Sequence, residues 1–416
     1  MATTTQNVRE TCERARAASL RLATLTAGEK NAALIALADA LVSRTDEILE
    51  ANALDLQAGR ESGLSDALLD RLSLDEARVR AIADQVLEVA ALDDPVGVVL
   101  ESFTRPNGLA VEKVRVPLGV IAVVYEARPN VTIDAAALAI KSGNAIVLRG
   151  SSTAIHSNAV LVAIAAESAP TPDAVQLVAG GREELAELAT QDDLVDLIIP
   201  RGGEGLKKAL QEVATVPVIY AAAGNCHVYV DASADLENAQ AIILNAKTQR
   251  PGVCNAAETL LVHRAIAEAF LPETLARLHA AGVELRVDDA TAAHAGDTPV
   301  QAADEDDWGT EYLALVLAVK VVDTPFDAIA HINHYGSGHS EAIVTGDKTA
   351  ARAFELGIDA ACVYVNASTR FTDGNEFGMG AEIGNSTQKL HARGPVALRE
   401  LCTFKYLVRG DGQIRE

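Results

Sequence analysis

The chain has 416 residues, of which 49% are hydrophobic, and a formal net charge of −23 at pH 7. This length and apolar content predict a globular protein with a large core and roughly two or three domains. The negative charge argues against nonspecific nucleic-acid binding, which needs clustered Lys and Arg. Because no stretch approaches the roughly 20 apolar residues of a membrane span and the first residues do not resemble a secretory signal, we expect a cytoplasmic protein without membrane or nucleic-acid partners.

The first hundred residues carry helical patterns. Thr26 and Glu29 form a capping-box pair ahead of an apolar helical stripe, and Ser73 and Glu76 repeat the pair before a second stripe. We expect these helices to be scaffold and to take no part in chemistry.

Short extended runs follow the helices. Residues 96–100 and 109–114 flank a turn-forming segment, which predicts a β-hairpin over 96–116. A similar run at 401–408 lies in the segment 396–416. Since both elements stand outside the α/β series between them, we predict that they form a small sheet for subunit contact in a homo-oligomer.

The middle of the chain alternates between strand-like and helix-like segments. Predicted strands at 120–125, 145–148, 175–178 and 195–199 are separated by helical segments, the first of them at 134–142. Such alternation builds a parallel sheet with helices on both faces, so the predicted class is α/β. Ligands of such sheets bind at the carboxyl ends of the strands.

Two loops of this series are candidates for nucleotide binding. Each follows a strand and joins an arginine to small residues, and these residues are Arg149, Ser151 and Ser152 in one loop and Arg201, Gly202 and Gly203 in the other. Backbone amides and a helix N-terminus at such loops suit phosphate. The alternative is that both are only tight turns, since no GxGxxG motif is present.

Cys254 is the candidate nucleophile. It follows the turn-forming pair Pro251 and Gly252, which would present the sulfur at a loop tip. The alternative is a small buried apolar residue. The five cysteines are widely spaced and lack the close Cys and His clustering of a zinc site, so we expect neither a disulfide scaffold nor a metal.

Four longer motifs resemble the gamma-glutamyl phosphate reductases, a proline-biosynthetic branch of the aldehyde dehydrogenase superfamily. The motifs lie at 116–130, 249–255, 330–341 and 365–384. The resemblance implies two Rossmann-like parallel-sheet domains and a small β oligomerisation element. Its implied divisions are an NADP-binding domain at 1–95 and 117–225, a catalytic domain at 226–385, and an oligomerisation element at 96–116 and 396–416.

The resemblance also implies a reaction. L-glutamate 5-phosphate would be reduced by NADPH to L-glutamate 5-semialdehyde with release of phosphate, which is the second step of proline biosynthesis from glutamate. Cys254 would form a thioester with the acyl group, and Asn130 would stabilise the oxyanion, although a plain turn residue after a proline is the other interpretation of Asn130. The glutamate 5-kinase of the preceding step is a candidate partner.

Further candidate site residues lie in these motifs or elsewhere in the chain. Glu311, in the segment 308–313, resembles the family's glutamate on the nicotinamide ribose, although a solvated carboxylate is the other interpretation. Arg149, with hydroxyls beside it and no carboxylate near it in the sequence, favours the 2′-phosphate of NADP over the free ribose of NAD. The candidates for binding the charged groups of the substrate are Arg128, Lys247, Arg250, His339 and Arg370.

Two rival functions are weighed against this one. An aldehyde-oxidising NAD(P)-dependent dehydrogenase of the same fold would carry a water-activating glutamate, but the corresponding segment, 219–226, has none. A noncatalytic nucleotide-binding scaffold would not need Cys254, Asn130 and Glu311 together.

Overall fold

The computed structural model describes residues 7–220 and 223–415, without the side chains of Ala67 and Glu204. The α-helices are α1 (Val8–Leu22), α2 (Ala27–Ser43), α3 (Thr45–Glu61), α4 (Asp66–Leu72), α5 (Glu76–Ala91), α6 (Asn130–Lys141), α7 (Ile155–Ser168), α8 (Arg182–Ala189), α9 (Glu204–Val213), α10 (Leu236–Thr248), α11 (Arg264–Ala280), α12 (Asp289–Ala292), α13 (Pro325–Tyr335) and α14 (Lys348–Gly357). The β-strands are β1 (Val99–Thr104), β2 (Ala110–Pro117), β3 (Val120–Tyr125), β4 (Ala145–Arg149), β5 (Val175–Leu177), β6 (Leu197–Arg201), β7 (Cys226–Val230), β8 (Ala257–His263), β9 (Glu284–Val287), β10 (Gln301–Ala302), β11 (Val316–Val322), β12 (Ser340–Val344), β13 (Cys362–Val365), β14 (Asn385–Ser386), β15 (Gly394–Pro395) and β16 (Cys402–Arg409).

The chain divides into two compact units. The first unit holds the described residues up to Tyr220 with Gly378–Gly384 and the chain from Val396 onward. The second unit holds 223 to Phe377 with Asn385–Pro395. The sequence motifs predicted a break near 225, but they put Gly378–Gly384 with the cysteine. The roles of the units in cofactor binding and catalysis stay predictions.

The first unit contains a four-stranded parallel sheet in the order β5, β4, β3, β6. Every residue of β3 is buried, as are the first four of β4. Continuous runs of Val, Ile, Leu and Ala are typical of strands that are covered on both faces. The predicted strand 120–125 is confirmed as β3, and the other three predicted strands lie within two residues of β4, β5 and β6.

Local capping explains where the first helices begin. The Thr26 side chain accepts the backbone N–H of Glu29 at 3.3 Å, and the Glu29 carboxylate accepts the N–H of Thr26 at 2.8 Å, so the predicted capping box is confirmed. The predicted box at Ser73 is wrong. Asp75 caps α5 instead, because its carboxylate accepts the N–H of Arg78 at 2.7 Å.

The hairpin and the C-terminal strand meet in one small antiparallel sheet of the first unit, in the order β1, β2, β16. The N–H of Gly108 closes the hairpin turn onto the carbonyl of Arg105 at 2.9 Å, and Gly108 has a φ of 89°, which favours glycine. The apolar side chains Phe103, Phe404, Tyr406 and Val408 are exposed. The sheet is confirmed, while its use in subunit contact stays a prediction.

The second unit contains a seven-stranded parallel sheet in the order β10, β9, β11, β8, β7, β12, β13. Alternate residues of β7 enter two apolar clusters: Val228 and Val230 pack with Phe270 of α11, and Tyr229 packs with Phe354 of α14. Both faces of the sheet are therefore covered. The predicted α/β class, with parallel sheets and a small antiparallel sheet, is confirmed. Within the described residues, no helix is long and apolar enough to cross a membrane.

Candidate functional site

The loop that carries Cys254 joins α10 to β8, and Cys254 is half-buried. Its neighbour Asn255 anchors it, because the Asn255 side-chain amide donates to the carbonyl of Thr372 at 2.9 Å. The hydroxyl of Thr369 donates to the carbonyl of Asn255 at 2.7 Å. A distant segment thus holds the loop in place through the Thr369 side chain and the Thr372 backbone.

Two residues, Gly224 just before β7 and Cys226 at its start, fix the backbone of Cys254. A Cβ atom on Gly224 would lie 1.5 Å from the carbonyl oxygen of Cys254, so only glycine fits there. The thiol of Cys226 donates to the same oxygen at 3.2 Å. Burial raises the pKa of Cys226 far above its ordinary value, which keeps it a protonated donor. Cys226 is therefore a support for the loop and not a second nucleophile.

Two arginines lie close to Cys254. The Arg370 guanidinium donates from Nε to the side chain of Gln249 at 2.7 Å. Burial lowers the pKa of Arg370, the nearby charge of Arg250 lowers it further, and the charge of Cys254 raises it. Arg370 is thus near both Arg250 and Cys254. Positive charge beside a thiol stabilises the nucleophilic thiolate, and paired guanidinium groups suit an anion.

Lys247, a predicted substrate contact, is fully buried in an ion pair, with Nζ 2.5 Å from Oε2 of Glu258. The other carboxylate oxygen of Glu258 accepts the N–H of Leu313 at 3.2 Å. Burial raises the pKa of Glu258 to about 7 and lowers the pKa of Lys247. The pair ties α10 to β8 at the two ends of the cysteine loop, so its geometry favours a supporting role over contact with substrate.

Glu311 also lies at the cysteine loop. Its carboxylate accepts the backbone N–H of Gly224 at 2.6 Å, and its charge contributes to the raised pKa of Glu258. Glu311 therefore holds the segment that contacts Cys254. Its predicted contact with a ribose stays a prediction.

His339, another predicted substrate contact, is buried in a polar network. Its Nδ1 lies 2.8 Å from the hydroxyl of Ser340 and 3.9 Å from the sulfur of Cys226. The Ser340 and Thr372 hydroxyls are 2.5 Å apart. Burial lowers the pKa of His339 to about 4. A neutral imidazole supplies no positive charge to an anion, so this placement favours a structural role.

In the first unit, Asn130 is the first residue of α6, which begins four residues earlier than predicted. The Asn130 amide donates to the carboxylate of Asp134 at 2.9 Å. Burial raises the pKa of Asp134 to about 6, and the Asn130 hydrogen bond opposes that rise. Asp134 thereby orients the amide of Asn130. Arg128 lies in the bend just before α6 and is exposed.

The Arg149 loop follows β4. The guanidinium of Arg149 donates to the carbonyl of Gly181 at 2.8 Å, and the carboxylate of Glu184 accepts the N–H of Gly181 at 2.6 Å. The sequence around Arg149 holds no carboxylate, but the fold brings Glu184 close to it, which weakens the argument for the 2′-phosphate of NADP. Burial lowers the pKa of Arg149, and Glu184 opposes this lowering. The Ser151 hydroxyl accepts the N–H of Thr153 at 3.2 Å, and Ser152 is exposed.

The Arg201 loop follows β6 and leads into α9. A Cβ on Gly202 would lie 2.8 Å from the carboxylate carbon of Glu126, and the N–H of Gly203 donates to that carboxylate at 3.3 Å. The backbone of Gly384 lies against the Arg201 guanidinium, 2.9 Å from a Cβ placed there. The two predicted nucleotide loops do lie at the carboxyl ends of one parallel sheet, after the strands β4 and β6 that flank β3.

Sequence reasoning missed several groups around Cys254, namely Gly224, Cys226, Asn255 and Glu258. One available signal was polar residues at the start of otherwise apolar strands, as in β7, β8 and β12. A buried charge or amide inside a strand requires partners, which marks a site or a structural network.

Comparison with known proteins identifies the family. The model of the aldehyde dehydrogenase family matches residues 1–308. Gamma-glutamyl phosphate reductase of Thermobifida fusca is 55% identical over 416 residues, with 99% of each chain covered. The same-named protein of Moorella thermoacetica is 56% identical, with 97% of each covered. The chain belongs to the gamma-glutamyl phosphate reductases of the aldehyde dehydrogenase family.

Solved structures agree with this family. The crystal structure of gamma-glutamyl phosphate reductase from Thermotoga maritima has a TM-score of 0.96 and 47% identity, covering 98% of this chain and 100% of that one. An acetylating aldehyde dehydrogenase from Geobacillus thermoglucosidasius has a TM-score of 0.66 at 20% identity, covering 99% and 98%. The second likeness concerns the fold alone. The predicted aldehyde-dehydrogenase-like α/β fold is confirmed.

Proposed function

We propose that the protein reduces L-glutamate 5-phosphate to L-glutamate 5-semialdehyde with NADPH and releases phosphate, which is the second step of proline biosynthesis from glutamate. The support is that relatives with the name gamma-glutamyl phosphate reductase match nearly the whole chain. The observation that carries the chemistry is Cys254 on an anchored loop with Arg250 and Arg370 close to it.

The first step is attack of the Cys254 thiolate on C5 of the acyl phosphate. The S–C5 bond forms, the C5–O bond to phosphate breaks, and the electron pair leaves with phosphate. Arg250 and Arg370 bind the departing dianion, since guanidinium groups hydrogen-bond phosphate oxygens in pairs. A thioester on Cys254 remains.

Charge develops on the C5 oxygen during this attack. The backbone N–H of Cys254 and the side-chain amide of Asn130 are the donors that stabilise it. An amide has two N–H groups, so Asn130 donates one to Asp134 and keeps the other for the oxyanion. Asp134 is then a positioning residue for Asn130.

The residues of the first-unit loops fit a dinucleotide. The buried Nε of Arg149 has no hydrogen-bond partner within the described residues, and a cofactor phosphate would supply one. The residues of the first unit that would hold NADPH are Arg149, Ser151, Ser152, Arg201, Gly202 and Gly203, and Glu311 of the second unit would bind the nicotinamide ribose. When bound, the cofactor supplies a hydride to C5. Asn130 and the Cys254 N–H hold the resulting oxyanion until it expels the Cys254 thiolate and releases the aldehyde.

We further propose that the protein is a homo-oligomer, joined through the antiparallel sheet of β1, β2 and β16. Its exposed apolar side chains are of the kind that interfaces cover. The preceding glutamate 5-kinase stays a candidate partner, because an acyl phosphate is labile and benefits from direct transfer.

The reverse reaction tests the function. Pyrroline-5-carboxylate, in equilibrium with the semialdehyde, is supplied with NADP+, and reduced cofactor is followed with and without inorganic phosphate. We expect reduction only with phosphate. Equal rates in water would contradict the mechanism and favour an aldehyde-oxidising dehydrogenase. A parallel series with NAD+ tests the Arg149 argument, since NADP+ should be preferred.

The nucleophile is tested with Cys254→Ala, which should lower kcat by about 10⁴-fold or more because no thioester can form. Cys12→Ala is the matched control, since Cys12 is a buried thiol of the first unit. Turnover of Cys254→Ala at the wild-type rate would overturn the thioester.

A further inference from the structure

A small cavity lies in the second unit, beside the segment that contacts Cys254. Its volume is about 260 Å³, which is below the range of roughly 300–1,000 Å³ for drug-sized ligands and suits a small metabolite. It is lined by the end of α13, the start of β12 and the loop between β14 and β15. Its charged lining residues are Glu341, Asp359, Lys389 and Arg393.

Glu341 brings a buried carboxylate to this cavity. One oxygen, Oε2, accepts both the backbone N–H of His227 at 2.7 Å and its ring Nδ1 at 2.9 Å. The other oxygen, Oε1, is buried and has no hydrogen-bond partner in the described part of the chain. A buried carboxylate oxygen without a donor is costly. A ligand with N–H groups would satisfy it.

Arg393 brings a cation to the same cavity. One terminal nitrogen donates to the Asp359 carboxylate at 3.0 Å. Its Nε is buried and finds no hydrogen-bond partner among the residues described. Lys389 lies 2.5 Å from the other oxygen of Asp359 and adds positive charge to this side. The planar guanidinium suits a carboxylate.

The two unsatisfied groups select the charge of the ligand. A ligand with only an ammonium would leave Nε of Arg393 without a hydrogen-bond partner. A ligand with only a carboxylate would leave Oε1 of Glu341 without one. A phosphate dianion would be repelled by Glu341. A molecule with both an ammonium and a carboxylate, which is an amino acid, satisfies both groups.

The cavity lies near the loop that carries the nucleophile, and residues 224–226 connect the two. Its wall residue Ser337 accepts the backbone N–H of Asn225 at 3.0 Å. The neighbours of Asn225, Gly224 and Cys226, contact the carbonyl of Cys254. Ser337 and the carbonyl of Cys254 thus contact the same short segment, 224–226, which places the cavity near the cysteine loop.

We propose that this cavity binds the amino-acid end of the substrate, with its α-ammonium on Glu341 and its α-carboxylate on Arg393. The inference rests on the proposed function and specifies how the substrate class is chosen. Glu341 and Arg393 are specificity-determining residues in this scheme.

The test compares three aldehydes in the phosphate-dependent oxidation. L-glutamate 5-semialdehyde has both charged groups, 5-oxopentanoate lacks the ammonium, and 4-aminobutanal lacks the carboxylate. We expect Glu341→Gln to lower kcat/KM about 10²-fold for the two aldehydes that carry an ammonium, and to leave 5-oxopentanoate unchanged. Arg393→Gln should do the same for the two that carry a carboxylate and spare 4-aminobutanal. Equal losses for all three aldehydes in both variants would overturn the proposal.

The matched controls are Arg352→Gln and Glu355→Gln, which make the same chemical changes in an exposed pair of α14. Neither should change any ratio between the aldehydes. If Glu341→Gln does not fold, Arg393→Gln still decides, because its side chain lies at the partly exposed edge of the cavity.

Calorimetry with L-glutamate separates this inference from the proposed function, because it needs no turnover. Binding to the wild type that weakens in both cavity variants supports the cavity even if the oxidation assay fails. Equal binding to wild type and both variants overturns the cavity while leaving the reaction intact.

Discussion

The two parallel sheets carry their polar groups at opposite ends. In the first unit, β4 and β6 are buried and become partly exposed only at their last residues, Arg149 and Arg201. In the second unit, buried polar groups occupy the first two positions of the central strands, as with His227, Glu258 and Glu341. The first sheet follows the rule that ligands bind at carboxyl ends. The second presents its nucleophile at the amino end of β8.

This difference has an electrostatic consequence. Loops at the carboxyl ends of the first sheet offer backbone amides and partly exposed arginines. At the amino ends of the second sheet, polar side chains are enclosed instead, so burial shifts the pKa of Glu258 up to about 7 and that of nearby His339 down to about 4. A buried ionisable group lowers the stability of the fold when its partner is removed. Substitutions of such partners therefore test the difference between the two units.

The largest expected effect comes from breaking a buried ion pair in each unit. Lys247→Met leaves Glu258 enclosed without its cation and should lower the free energy of unfolding by about 3–5 kcal/mol. Lys30→Met is the matched change in the first unit, where Lys30 is buried but its partner Asp94 is 15% exposed. Because water can reach Asp94, we expect this loss to be smaller by at least about 1 kcal/mol. Denaturant unfolding measures both, and equal losses would remove the distinction between the units.

A smaller effect is expected from adding a methyl group beside each loop. Gly224→Ala places Cβ 1.5 Å from the backbone oxygen of Cys254 and should lower kcat about 10²-fold, since the nucleophile must move. Gly150→Ala places Cβ 2.0 Å from the side-chain nitrogen of buried Asn158, so the Arg149 loop must shift. We expect a rise in KM for NADPH of about tenfold with kcat nearly unchanged. Steady-state kinetics decides; a similar fall in kcat for both variants would count against the comparison.

The smallest expected effect is a loss of folding stability at low pH. Burial lowers the pKa of His331 to about 3, and the charges of His227, Lys320 and His334 lower it further. Since this pKa lies below the ordinary value of about 6.5, the stability that neutral His331 contributes is present above pH 6.5 and is lost as the pH falls toward 3. The variant His331→Phe keeps aromatic contact with Trp308 and removes this loss.

Unfolding free energies at pH 7 and pH 5 measure the difference between His331→Phe and the wild type. It should shift in favour of the variant by about 2 kcal/mol over that interval. Parallel pH profiles for the two proteins would show that His331 does not titrate on unfolding. The histidine of the first unit, His156, is exposed, so the prediction concerns the enclosed groups of the second unit.

Much of the fold was predictable because its signals are local. An uninterrupted apolar run specified β3, and a threonine with a glutamate three residues later specified the start of α2. The predicted starts of α5 and α6 were wrong because neighbouring residues competed for the first position of each helix. Asp75 is a nearer cap for α5 than Ser73, and Pro129 is tolerated at the N-terminus of α6, which let that helix begin early.

The site was only partly predictable. Cys254, Arg250 and Arg370 were singled out by residue type and motif, and they do lie together. Lys247 and His339 were singled out in the same way but are buried, because motif membership does not reveal exposure. Glu184 reaches the Arg149 loop from the start of α8, and no spacing rule predicts that approach.

The sequence by itself determined the α/β class, the small antiparallel sheet, the arginine loops and the loop position of one cysteine, since periodicity, turn residues and caps act over a few residues. Only the tertiary structure decided which polar groups support that cysteine. Thr369 and Thr372 hold Asn255 from more than 100 residues away, and Cys226 donates to the carbonyl of Cys254 from a neighbouring strand. Such contacts depend on strand order and packing, which arise only when the whole chain has folded.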